Sequence, residues 1–154
     1  DQVTHIVKYC QLDMVQLCGN EQHEYLRKMP SPVIKQIKID ESRDISKVIM
    51  ETLTTVSRIN ELGHIPLLDK YKSGHMGGTG DKFDWTIAAE ISSRESIWLS
   101  GGITPENVDE AISTVLPSGI DLSSGVETNG IKDPSKIKSL VESVKISSKT
   151  DSTN

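Results

Sequence analysis

Twice in its last third the chain repeats one pattern: a short apolar run, a Ser/Gly turn, then a proline opening a helical stretch. Residues 96–100 lead into Ser100-Gly101-Gly102 and then Thr104-Pro105. Residues 119–123 lead into Ser123-Ser124-Gly125 and then Asp133-Pro134. Proline suits a first helical position because its missing N–H would be unpaired there and its φ is already helical, so helices are predicted to start at Pro105 and Pro134. Glycine at a strand end lets backbone approach a ligand closely, and free N–H groups beside it hold anions. Side by side, the two loops read as a grip for a phosphate group.

The same grammar runs backward through the chain. Val3, Ile6, Val7 and Cys10 follow helical i, i+3, i+4, i+7 spacing, so the chain opens inside a helix. Residues 13–17 form a short strand ending at Cys18-Gly19, and residues 22–28 a short helix stopped by Pro30 and Pro32. Residues 33–39 (VIKQIKI) alternate and are β-branched, so they form a strand. Ile45, Val48, Ile49, Leu53 and Val56 mark a long amphipathic helix, 65–69 the next strand and 84–91 a further helix. The last helix carries Ile137, Leu140, Val141 and Val144 on one face, and residues 147–154 form a polar C-terminal tail after a domain spanning 1–146.

Strand ends therefore fall near residues 18, 39, 69, 100 and 123. Strands alternating with helices at that spacing give βα units and a parallel sheet. Five such units fit either a doubly wound sheet or part of a (β/α)8 barrel, which needs eight units and commonly about 250 residues. Counting does not separate the two.

Composition narrows the function. A net charge of −5 and a pI near 5.4 disfavour nucleic acid as a partner, since neutralising phosphates needs a basic face. No apolar run reaches the roughly 20 residues that span a bilayer, so no membrane association is expected. Two cysteines, Cys10 and Cys18, make no disulfide framework, and a cytoplasmic setting is the default expectation. Cys10 reads as a core residue. His5, His23 and His64 read as surface or strand-edge residues, and no histidine or cysteine pair has metal-ligand spacing.

Four motifs stand in order: Leu67-Leu68-Asp69; Gly77-Gly78-Thr79-Gly80 with Phe83-Asp84-Trp85; Ser100-Gly101-Gly102-Ile103-Thr104-Pro105-Glu106-Asn107-Val108; and the run from Asp121 to Asp133. Together with Val15–Glu21 they resemble phosphoribosylanthranilate isomerase, a (β/α)8 TIM-barrel enzyme of tryptophan biosynthesis. The resemblance runs from the first residues to about Lys145 and implies an α/β fold of that family that is incomplete, with about five βα units standing for strands 4–8. The family's catalytic cysteine lies in a Lys-x-Cys-Gly strand that this sequence does not contain, and an arginine after the family's second strand is absent too. The chain is thus expected to be inactive alone. The alternative is a non-catalytic split fragment that binds phosphate or a complementing N-terminal segment, or self-associates through open sheet edges.

The implied reaction is an Amadori rearrangement of N-(5-phosphoribosyl)anthranilate to 1-(2-carboxyphenylamino)-1-deoxyribulose 5-phosphate. An acid protonates the ring oxygen, a Schiff base forms, and a base removes the C2′ proton. No metal or organic cofactor is implied. Asp69 matches the family's general acid; its apolar predecessors would raise its pKa, while its plain reading is a carboxylate paired with Lys70 or Lys72. Gly101, Gly102, Ser124 and Gly125 match the phosphate site, with Gly78 and Gly80 adding substrate contacts and Asp121 pointing toward the substrate. Glu127 reads equally well as a helix N-terminal charge. Residues 70–82 fit a glycine-rich lid, in which His75 reads as exposed rather than as a base. Cys18 and Asn20 stand where the family usually has His and Asp. A thiol at position 18 would need activation to serve as a base.

Overall fold

The computed structural model describes residues 2–70 and 84–150, with side chains as far as Lys145. Along the chain run α1 (Gln2–Cys10), β1 (Val15–Leu17), α2 (His23–Leu26), β2 (Val33–Ile39), α3 (Ile45–Glu61), β3 (Ile65–Lys70) and α4 (Trp85–Ser92). They are followed by β4 (Trp98–Leu99), α5 (Val108–Val115), β5 (Gly119–Ile120), a 3-10 turn (Ser124–Val126), a β6–β7 hairpin (Glu127–Thr128, Ile131–Lys132) and α6 (Pro134–Thr150).

Local chemistry sets most of these boundaries. Asp44 caps α3 by accepting from Lys47 N–H at 3.0 Å, and Asp84 caps α4 through Thr86 N–H at 2.9 Å. The end of α3 is closed by Gly63 N–H to Asn60 O (2.9 Å) and His64 N–H to Ile59 O (3.1 Å), the two bonds of a Schellman motif. Pro134 does open α6, with Asp133 accepting from Ser135 N–H at 2.9 Å. Pro105 does not open a helix: it starts a turn, and α5 begins at Val108. The Asn107 side chain explains the delay. Its Oδ1 accepts from Thr104 N–H (2.8 Å) and its Nδ2 donates to Gly102 O (2.9 Å), holding residues 102–107 as a loop.

The five strands lie in the order β1-β2-β3-β4-β5, all parallel. A doubly wound sheet reverses direction part-way and carries helices on both faces. Here every crossover steps the same way, and right-handed crossovers then place all the helices on one face. Leu17, Val33, Ile39, Leu68 and Leu99 point to that face and are buried, in two clusters with Val48, Val56, Ile59, Ile91, Val108 and Ala111. The sheet is therefore singly wound, not doubly wound. The opposite face, read from the parallel register, carries Gln16, Gln36, Lys38, Leu67, Asp69 and Trp98.

Several expectations need correction. Cys10 is exposed, as is Ile6; of the opening helix only Val7 is buried. The helix expected over 22–28 is the single turn His23–Leu26. The α6 backbone continues through residues 147–150, so the helix extends past the expected tail boundary. The β6–β7 hairpin was not anticipated, although Asn129-Gly130 announces it. Both residues have positive φ (53° and 77°), as a two-residue primed turn requires. Among the described residues no helix is long and apolar enough to cross a membrane.

Candidate functional site at the carboxyl ends of the strands

Parallel strands deliver their last residues to one rim, and β3 delivers Asp69. The carboxyl is half-buried and held from two sides. Lys70 N–H donates to Oδ1 at 2.8 Å, and Gln36 Nε2, from the neighbouring β2, donates to Oδ2 at 2.6 Å. Lys38 is the register partner of Asp69, and Asp121 follows β5. Burial pushes the Asp69 pKa above its usual value and repulsion from Asp121 adds to this, while the Lys70 and Gln36 hydrogen bonds and Lys38 oppose it. What Lys70 offers the carboxyl is its backbone N–H; its ammonium lies 3.5 Å from Glu41 Oε2.

Directly above Asp69 sits the turn after β4. Gly101 (φ 92°) and Gly102 (φ 71°) both occupy left-handed backbone that side chains rarely adopt. A Cβ at Gly101 would also lie 2.8 Å from Asp69 Oδ1 and 3.3 Å from Lys70 N. Glycine is required there by the carboxylate beneath it as well as by its backbone. The loop after β5 docks onto the same turn: a Cβ at Gly125 would run into the Ile103 carbonyl. Among the described residues, the N–H groups of Gly101, Gly102, Ser124 and Gly125 donate no hydrogen bond. Lys132 adds a positive charge behind this loop, donating to Ser123 O and Oγ at 2.8 Å each and pairing with Glu127 at 2.6 Å. Glu127 is therefore a β6 residue in an ion pair, not a helix N-terminal charge.

The structure thus gathers Asp69, Gly101, Gly102, Asp121, Ser124 and Gly125 on one rim. Gly78, Gly80 and His75 lie outside the described residues. Cys18, just after β1, is exposed. The turn that follows it is anchored by Lys35, whose ammonium hydrogen-bonds Gly19 O and pairs with Glu21 at 2.7 Å. Desolvation pushes the Glu21 carboxyl up, but the Lys35 hydrogen bond and charge outweigh it and hold the pKa below its ordinary value.

Four residues at this rim escaped the sequence reading: Gln36, Lys38, Asn107 and Lys132. The first two had a signal. In VIKQIKI the polar residues at 36 and 38 alternate onto the face that the register shares with Asp69.

A strand-end carboxyl under a glycine turn, with a second loop of free N–H groups against it, is common to many phosphate-handling barrels. The decisive observation is that the family model described as N-(5'-phosphoribosyl)anthranilate (PRA) isomerase matches residues 1–143. The chain belongs to the phosphoribosylanthranilate isomerase family. Among curated relatives, the N-(5'-phosphoribosyl)anthranilate isomerase of Dehalococcoides mccartyi is 39% identical over 145 residues, 94% of this chain. The chain spans 66% of that relative's length. A multifunctional tryptophan biosynthesis protein of Schizosaccharomyces pombe is 40% identical over 93% of the chain, which spans 17% of that protein. The crystal structure of phosphoribosyl anthranilate isomerase from Thermotoga maritima superposes with a TM-score of 0.76 at 33% identity, covering 94% of this chain and 67% of that one. Membership of the phosphoribosylanthranilate isomerase family agrees with the singly wound parallel sheet.

Proposed function

We propose that this chain forms the proton-donor and phosphate-binding side of a phosphoribosylanthranilate isomerase, with β1–β5 standing as the fourth to eighth strands of an eight-stranded barrel. Asp69 is the general acid that protonates the furanose ring oxygen of N-(5-phosphoribosyl)anthranilate. A carboxyl whose burial favours its protonated form suits that task near neutral pH. The ring opens to a Schiff base, and loss of the C2′ proton gives an enolamine that relaxes to the 1-deoxyribulose ketone. The free N–H groups of Gly101, Gly102, Ser124 and Gly125 hold the 5′-phosphate, and Asp121 faces the substrate from the next strand. Gly78 and Gly80 complete the substrate contacts from the glycine-rich loop. No cofactor takes part.

One observation carries this reading: the carboxyl with the raised pKa lies directly beneath the glycine turn of the phosphate loops. Acid and anchor are therefore a few ångströms apart, as one phosphorylated sugar requires. Turnover also needs a base, which the family draws from the Lys-x-Cys-Gly strand. The structure supports a complementing segment in a second way. Among the described residues, β1 pairs only with β2 and β5 only with β4. Helices at these two edges expose apolar side chains: Ile6 (51%) and Tyr9 (82%) on α1, Ile137 (40%) and Val141 (42%) on α6. These are surfaces for the flanking βα units of a closed ring. Alone, the chain binds phosphate weakly and does not turn substrate over.

In the complemented enzyme, Asp69→Asn is expected to lower kcat by at least about 100-fold, the usual contribution of a general acid. Phosphate should still perturb the amide resonances of Gly101 and Ser124. Retained turnover would remove Asp69 from the mechanism.

A further inference from the structure

Nothing in the reaction as described uses Gln36, yet among the described residues it makes the closest side-chain contact with the candidate acid (2.6 Å, Nε2 to Asp69 Oδ2). Of its neighbours on β2, Ile34 and Lys38 share its face, while Lys35 turns to the other face to meet Glu21. Gln36 is partly buried and in register with Leu67, two residue pairs short of Asp69 on the same face, so its extended side chain reaches the carboxyl along the strand direction. With Oδ1 taken by Lys70 N–H at 2.8 Å, the two donors fix the carboxyl plane.

An amide carries both a donor and an acceptor, and rotation about its last bond exchanges them. A carboxylate needs a donor, whereas a carboxylic acid presents an O–H and needs an acceptor. Of the described groups that face Asp69, only the Gln36 amide can serve both. Lys70 N–H and the Lys38 ammonium only donate, and ionised Asp121 only accepts. The Lys70 ammonium is directed to Glu41.

We propose that Gln36 is a positioning residue for the acid of this site. Its amide holds the Asp69 carboxyl in one rotation through the proton-transfer cycle, donating from Nε2 to the carboxylate and, after a flip, accepting at Oε1 from the acid. When Asp69 gives its proton to the ring oxygen, the O–H swings from Gln36 Oε1 to the substrate and breaks, the electron pair stays on Oδ2, and the amide flips back to supply the N–H that stabilises it. The inference rests on Asp69 being the acid and adds the group that keeps it aimed in both states.

The test is a pH titration of the full 154-residue chain by NMR, following the Asp69 carboxyl carbon and the Gln36 side-chain amide. The Gln36 NH2 resonances should shift with the same midpoint as Asp69. In Gln36→Met, which keeps the length and removes both polar atoms, the Asp69 midpoint should move to higher pH because the carboxylate has lost its donor. In Gln36→Glu it should also move up, through like charge. A Gln36 amide that does not titrate with Asp69, or an Asp69 midpoint unchanged in a folded Gln36→Met chain, would overturn the inference. The amide titration in the unsubstituted chain decides the matter even if the variants fail to fold. Either negative result leaves the acid assignment standing; that assignment falls only if Asp69→Asn retains turnover.

Discussion

Moving Asp69 from water to the end of β3 strips solvent from its carboxyl faster than Lys70 N–H and Gln36 replace it, so folding favours the protonated form. A carboxyl raised in the native state contributes stability below its unfolded pKa, and that contribution is lost as pH rises through the higher folded value. Asp69→Asn cannot ionise. Relative to the native chain, it should therefore gain in urea stability at pH 7 compared with pH 3. Glu21 runs the opposite way. Its lowered pKa contributes stability above the unfolded value, lost as pH falls through the folded one. Lys35→Met should remove that acid-side dependence and cost about 2–3 kcal/mol in chemical denaturation, because Glu21 and the Gly19 carbonyl lose their partner. Asp69 was legible in the sequence as a carboxylate after an apolar run. Its partner Gln36 was not, because hydrogen bonds between strands depend on register, which no single strand encodes.

At the scale of elements, the two loops proposed to hold phosphate form one unit through a steric contact. Gly125 packs against the Ile103 carbonyl with no room for a methyl group. Gly125→Ala should therefore destabilise the chain by about 2 kcal/mol or more in urea melts, a cost typical of forced backbone displacement. It should also weaken phosphate-induced shifts at Gly101. An unchanged melt with intact shifts would show that the loops are not docked in this way. Strands were legible where the pattern ran long, as in VIKQIKI, whose predicted bounds match β2. They shrank to two residues at β4 and β5, where Ser100-Gly101 follow the first pair and Asp121 the second in place of β-branched side chains. The reading of Pro105 failed for a related reason. A proline tolerates a helix start but does not compel one, and the Asn107 side chain competes for the same backbone groups.

For the molecule as a whole, the count of five βα units left two architectures open, and the strand order, which nowhere reverses, excludes the doubly wound one. Order is a long-range property: each helix could pack on either face as far as its own sequence shows. Cys10 on α1 was misassigned to the core on the same ground. Val3, Ile6, Val7 and Cys10 lie on one helical face, but only Val7 finds a neighbour to bury it. That surplus of exposed apolar surface at both edges of the sheet predicts self-association of the isolated chain at micromolar concentration. Sedimentation velocity should show dimers or larger species that disperse when a segment carrying three βα units is added.

The same mixture provides the most direct measurement of the central claim. The chain is combined with the first three βα units of the Dehalococcoides mccartyi relative, and conversion of N-(5-phosphoribosyl)anthranilate is followed. The account predicts no turnover by either piece alone, turnover by the folded complex, and its loss when the chain carries Asp69→Asn. Turnover by this chain alone, or by a complex indifferent to Asp69→Asn, would contradict it.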